Sequence, residues 1–118
     1  IRYLRRSRGL GDVYKRQEYA VPVIKNFMEL DNCKVLVCPD HVNKIKPDPE
    51  GILQACSKLS IDPSETIYIG DHPKDLEAGI RAGTKTIGCR YGYSLTDCNV
   101  FDGADLVDSA QEIISLIQ

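Results

Sequence analysis

Apolar residues recur along this chain at two alternating periods. Over residues 18–30, Ala20, Val23, Ile24, Phe27 and Leu30 share one helical face, and Pro22 falls in the first turn, where its missing N–H is tolerated. Residues 34–38 (KVLVC) form a continuous β-branched run that stops at Pro39-Asp40, the pattern of a buried strand. A second helix is predicted from Asp48 as N-cap and Pro49 at its first position, with Ile52, Leu53, Cys56 and Leu59 as its stripe. IDPSE (61–65) is a turn and TIYIG (66–70) a second strand. PKDLEAGIRAG (73–83) is a helix closed by Gly83 just past its C-cap, KTIGC (85–89) a third strand and ADLVD (104–108) a short fourth. SAQEIISLIQ closes the chain as a helix capped by Ser109.

Strands alternating with helices of about ten residues predict an α/β fold, a Rossmann-like parallel sheet with flanking helices. In such sheets functional groups collect beyond the carboxyl ends of the strands, and Asp40, Asp71 and Arg90 all fall there.

The 118 residues suit one domain, and no apolar run approaches the ~18 residues of a membrane span. Five cysteines without C-x-x-C spacing, four of them in or beside apolar runs, predict buried reduced thiols in a cytoplasmic protein rather than a zinc site. Charge is split: residues 1–17 hold six Lys/Arg against one acid, and residues 18–118 nine against sixteen. A basic arm on an acidic body suggests a nucleic-acid or membrane tail. The arm has no apolar period and no aromatic platform for bases, so neither partner is expected. Its second part, SRGLGDVYKRQ (7–17), resembles the translated read-through of a transposase adapter from sequencing libraries, residue by residue. Residues 1–17 are therefore expected to be non-native and disordered.

Two motifs carry chemistry. In KIKPDPEG, Lys46 is held extended by Pro47, and Asp48-Pro49 starts the next helix sharply. An ammonium on that loop can bind a phosphoryl oxygen or neutralise a carboxylate; otherwise it is a solvated lysine, as Lys44 is expected to be. In GDHPKDLEAGIRAG, Asp71 stands at the tip after Gly70, which lets the backbone turn tightly. Mg²⁺ takes hard oxygen ligands, usually one or two carboxylates completed by waters and a substrate phosphate. Asp75, about one helical turn on, can hold a water or steady the loop behind the metal-binding acid, although both acids could merely favour the helix start. His72 reads as a loop residue, since Mg²⁺ prefers oxygen.

The order K-P-D-P, hydrophobic strand, G-D-x-x-x-D, then A-G twice, resembles the haloacid dehalogenase-like (HAD) hydrolase superfamily from residue 18 to 118, most closely its phosphoglycolate-phosphatase-like branch. RYGYS (90–94) and ADLVDSAQEI resemble that branch more weakly. The resemblance implies a Mg²⁺-dependent phosphatase that hydrolyses a phosphomonoester through an aspartyl-phosphate. It implies that Lys46 orients the nucleophile and the phosphate, and that Asp71 binds Mg²⁺. A small phosphorylated metabolite is the implied partner: phosphoglycolate first, N-acetylmuramate 6-phosphate second.

The family's D-x-D-G-T/V nucleophile motif is not found; FDGAD (101–105) has other spacing and no strand before it. Residues 18–118 are thus expected to be the C-terminal half of a HAD-like core whose nucleophile strand and cap domain are missing, inactive alone. A receiver-type signalling domain also uses strand-end acids, Mg²⁺ and a Lys-Pro, but there the acids precede the Lys-Pro, the reverse of Lys46 and Asp71. A non-catalytic binding fragment is the other alternative.

Overall fold

The computed structural model describes residues 34, 35 and 37–117; segment 1–17 and the helix expected over 18–30 lie outside them. Strands β1 (Ile67–Gly70), β2 (Lys85–Cys89) and β3 (Ala104–Val107) form a parallel sheet in the order β1-β2-β3. The register aligns Gly70 with Gly88 and Cys89 with Val107, so all three carboxyl ends lie on one edge. The expected α/β architecture with flanking helices is what the described residues adopt.

The period of two along each strand decides what covers each face. Tyr68 of β1 turns toward α1 (Glu50–Leu59) and α2 (Pro73–Ala82), where it packs with Ile52, Cys56, Ala78 and Ala82. Ile87, Cys89 and Val107 take the opposite face, under Ile113 and Leu116 of α3 (Ala110–Ile117), with Ile67 beside them. Burying a side chain such as Ile87, fully enclosed here, stabilises by about 1.5–3 kcal/mol. Helix α2 approaches its face closely. A Cβ at Gly79 would lie 2.6 Å from Thr86 Oγ1 and 2.8 Å from Tyr68 Cδ1, so only glycine fits there despite its helix propensity cost of ~1 kcal/mol.

The helix ends follow local chemistry. Helix α1 starts at Glu50, one residue later than expected, because Asp48 Oδ1 accepts from the Glu50 N–H at 2.9 Å and Pro49 takes the cap position. His72 is no mere loop residue: its Nδ1 accepts from the Lys74 N–H at 3.1 Å and caps α2. At the other end Gly83 adopts φ 82 and its N–H reaches the Gly79 and Ile80 carbonyls. Ser109 Oγ accepts from the Glu112 N–H at 3.4 Å, the expected cap of α3. FDGAD is a tight turn into β3, with Gly103 at φ 89 and the Ala104 N–H bonded to the Phe101 carbonyl.

The strand expected over 34–38 is not seen in the part of it that the structure describes. Among the described residues of 34–38 none is in a strand, although Val37 and Cys38 are buried, and Pro39–His41 is a single 3-10 turn. An apolar run reports burial; a strand also needs a neighbour to pair with, and β1 forms one edge of the described sheet without these residues beside it. On that edge Ile69 is 43% exposed. Cys38, Cys56 and Cys89 are buried free thiols and Cys98 is a half-buried one, while Cys33 lies outside the described residues. Among the described residues no helix is long and apolar enough to cross a membrane.

Candidate functional site

The K-P-D-P loop and the G-D-x-x-x-D turn meet at the carboxyl end of β1. Lys46, for which the sequence leaves a solvated loop position as the alternative, is only 9% exposed. Its ammonium donates to Asp75 Oδ1 and, at 3.1 Å, to the Tyr68 hydroxyl, and it stands 5.9 Å from the centre of the Tyr68 ring. Pro47, joined to it by a cis peptide, opens the segment that leads into α1. The loop is braced nearby: Glu50 accepts from the Asn43 N–H at 2.9 Å and from the Lys44 N–H at 2.7 Å, and Lys44 itself is exposed as expected.

Asp75 sits buried in the first turn of α2, engaged by Lys46. Its carboxylate is a partner for the ammonium, which suits a positioning role and not that of a direct metal ligand. Gly70 explains how Asp75 gets there. The Gly70 φ is not in the left-handed region, and what requires glycine here is close approach. A Cβ at Gly70 would overlap Asp75 Cβ and lie 2.9 Å from its Cγ and Oδ2.

Asp71 follows β1 directly and is half-buried. Its side chain lies against Gly92, where a Cβ would come 2.5 Å from Asp71 Cβ and 2.9 Å from Oδ2. The bare Cα of Gly92 thus forms one wall of a cradle around a hard oxygen donor. That donor type and that space fit Mg²⁺, which is content with one or two protein carboxylates. Asp71 is the residue that would hold it.

The turn after β2 completes the surroundings. Tyr91 hydrogen-bonds the Cys89 thiol, and that bond, with burial and the nearby charges of Cys89 and Asp71, pushes its phenol up to about 12. Burial raises the Cys89 thiol, with the Asp71 charge adding to it against the opposing bond from Tyr91. Arg90 is turned to structural work: its Nε lies 3.0 Å from Asp108 Oδ1, a charge contact without hydrogen-bond alignment, and its N–H bonds the Val107 carbonyl at 2.8 Å.

Asp40 stands apart in a second cluster. Cys38, Asp40 and His41 bring ligand-type atoms within 4.8 Å of one another. His41 Nδ1 already accepts from the Cys38 N–H at 3.0 Å, and burial together with the Asp40 charge raises the Cys38 thiol. A thiol held protonated beside a committed imidazole nitrogen is not a ready metal site. Of the expected site residues, Lys46 and Asp75 are joined directly and Asp71 occupies the same turn. Tyr68 and Gly92 escaped the sequence reading, since a buried tyrosine in an apolar strand and a glycine in a loop both read as structural.

The haloacid dehalogenase-like hydrolase family model matches residues 14–89. The N-acetylmuramic acid 6-phosphate phosphatase of Pseudomonas aeruginosa is 46% identical over 105 residues, 87% of this chain and 46% of that protein. A phosphoglycolate phosphatase of Cupriavidus necator is 34% identical over 104 residues, 87% of this chain and 45% of that protein. Among solved structures, a candidate phosphoglycolate phosphatase of Lactobacillus plantarum superposes with a TM-score of 0.75 at 22% identity, over 86% of this chain and 49% of that one. The chain spans about half the length of the curated relatives it matches. With more than half of its length covered by the family model and the parallel sheet in place, this chain belongs to the haloacid dehalogenase-like hydrolase family.

Proposed function

We propose that the protein of which this chain is part is a Mg²⁺-dependent phosphomonoester phosphatase that acts through an aspartyl-phosphate, and that these residues supply its metal-side and charge-neutralising half. The observation that carries the reading is the pairing of Lys46 with Asp75 at the strand end that presents Asp71. Bound Mg²⁺ would supply charge stabilisation for the phosphoryl oxygens. Lys46 brings a cation to the same oxygens from a dry, fixed position, where electrostatic stabilisation is largest. Asp75 and Tyr68 orient it. The nucleophile motif is not in these 118 residues, so the chain by itself turns nothing over.

For the substrate, an amino-sugar phosphate such as N-acetylmuramate 6-phosphate is favoured over phosphoglycolate, which the motifs alone ranked first. The support is that two relatives named for the former substrate are 46% and 39% identical, against 34% and 31% for two named for the latter.

The test is kinetic, on the whole protein carrying this chain. N-acetylmuramate 6-phosphate should be the better substrate by kcat/KM, and a preference for phosphoglycolate would reverse the assignment. Lys46→Ala should lose roughly 2–4 kcal/mol of transition-state stabilisation, mainly in kcat, with no rescue by added Mg²⁺. Asp71→Asn should be partly rescued by Mg²⁺. The opposite pattern of rescue would overturn the two roles. The isolated chain should release no phosphate from p-nitrophenyl phosphate; release abolished by Asp71→Asn would reveal a nucleophile within it.

A further inference from the structure

We infer that Gly92 is a positioning residue for the Asp71 carboxylate, and that the turn after β2, not β1 alone, sets the geometry of the divalent-cation site. The inference rests on the reading of Asp71 as the metal-binding acid. Gly92 lies 21 residues beyond Asp71 in the chain, yet its Cα fills the space beside the Asp71 side chain.

The Gly92 backbone is pinned from two directions. Its N–H bonds the Cys89 carbonyl at 3.2 Å, and its own carbonyl accepts from Thr96 Oγ1 at 3.2 Å. Cys89 in turn belongs to β2, paired with Val107 of β3. Gly92 therefore cannot back away easily. A side chain there would meet Asp71 at its Cβ, 2.5 Å off, and Cβ does not move when χ1 rotates. The whole Asp71 residue would have to shift, with its oxygens. Mg²⁺ tolerates such displacement badly, because it demands near-ideal octahedral geometry at ~2.0–2.1 Å. The bareness of Gly92 is thus a condition on the metal site and not only on the turn, whose φ is not in the left-handed region.

The test uses Mn²⁺ as the probe and the chain as it stands. Affinity is read from water-proton relaxation, and the fold of each variant is checked by its far-UV circular dichroism. Asp71→Asn should weaken Mn²⁺ binding, and Gly92→Ala should weaken it about 10–100-fold while the spectrum is retained. Gly83→Ala, where a Cβ meets nothing within 4 Å, should leave affinity unchanged. If Asp71→Asn weakens binding and a folded Gly92→Ala does not, the inference fails and the Asp71 reading survives. If the wild-type chain shows no binding, or Asp71→Asn does not weaken it, both fail. A second measurement covers a Gly92→Ala chain that does not fold. On Mg²⁺ titration of wild type, the Gly92 amide resonance should shift along the same saturation curve as that of Asp71 and be still in Asp71→Asn. A Gly92 amide that ignores Mg²⁺ while Asp71 responds overturns the proposal.

Discussion

The ammonium of Lys46 and the carboxylate of Asp75 form an ion pair across 29 residues of chain, with both side chains more than nine-tenths buried. The pair ties the segment before α1 to the first turn of α2, beneath the end of β1. Such pairs stabilise less than their Coulomb attraction suggests, because both ions have lost their water. Their use is to hold a charge in one place.

Asp75→Ala should accordingly destabilise by about 3–5 kcal/mol, because it strands a buried cation. Urea unfolding measures this. Replacing both partners, Lys46→Met with Asp75→Leu, should recover much of the loss. A cost below ~1 kcal/mol for Asp75→Ala would mean that the pair is solvated, as exposed pairs are.

Tyr68→Phe keeps the ring in the core and deletes only the hydroxyl 3.1 Å from Lys46 Nζ. A hydrogen bond to a charged group contributes about 1.5–3 kcal/mol, and a loss of that size is expected in the same assay. An unchanged midpoint would show that the hydroxyl does not hold the ammonium.

Gly70→Ala places a methyl against Asp75, and overpacking at a site with no slack costs about 1–3 kcal/mol or more. Gly83→Ala meets no neighbour, and its penalty of roughly 1–2 kcal/mol comes only from φ 82. The thermal midpoint of Gly70→Ala should therefore fall further, and the reverse order would contradict the close approach.

Stability should decline at alkaline pH. The Tyr91 phenol, at about 12, and the raised Cys89 thiol keep their protons in the folded chain at pH values where the unfolded chain has released them. The unfolded state then binds fewer protons, so unfolding free energy falls as pH rises. The contribution is fully present below the ordinary thiol range and is lost progressively up to about pH 12. Denaturant midpoints from pH 8 upward check this, and Cys89→Ala with Tyr91→Phe should flatten the decline.

Helices α1 and α2 and strands β1 and β2 were readable because their signals are local: an Asp-Pro start, a glycine at φ 82, a period of two. The strand expected over 34–38 was not, since its buried side chains say nothing about a pairing neighbour. Lys46, Asp71 and Asp75 stood out through motif order. What no pattern states is distance. The tyrosine under Lys46 has the ordinary look of a strand residue, and the glycine beside Asp71 becomes informative only once β2 pairs in parallel with β1.

Asp71 and Asp75 are four positions apart but are gripped from opposite directions, one by a segment downstream of β2 and the other by a segment upstream of α1. Length changes in the β2–β3 connection should therefore be felt very unevenly. Around Asn99 and Val100, the latter 82% exposed, extra residues can bulge into solvent, as exposed loop tips commonly allow. Between Cys89 and Thr96 even one inserted residue would slide Gly92 off its acid. The connection is tethered along its first half and again at the tight turn from Phe101 to Ala104, so natural or engineered grafts belong between them, at the exposed Asn99 and Val100.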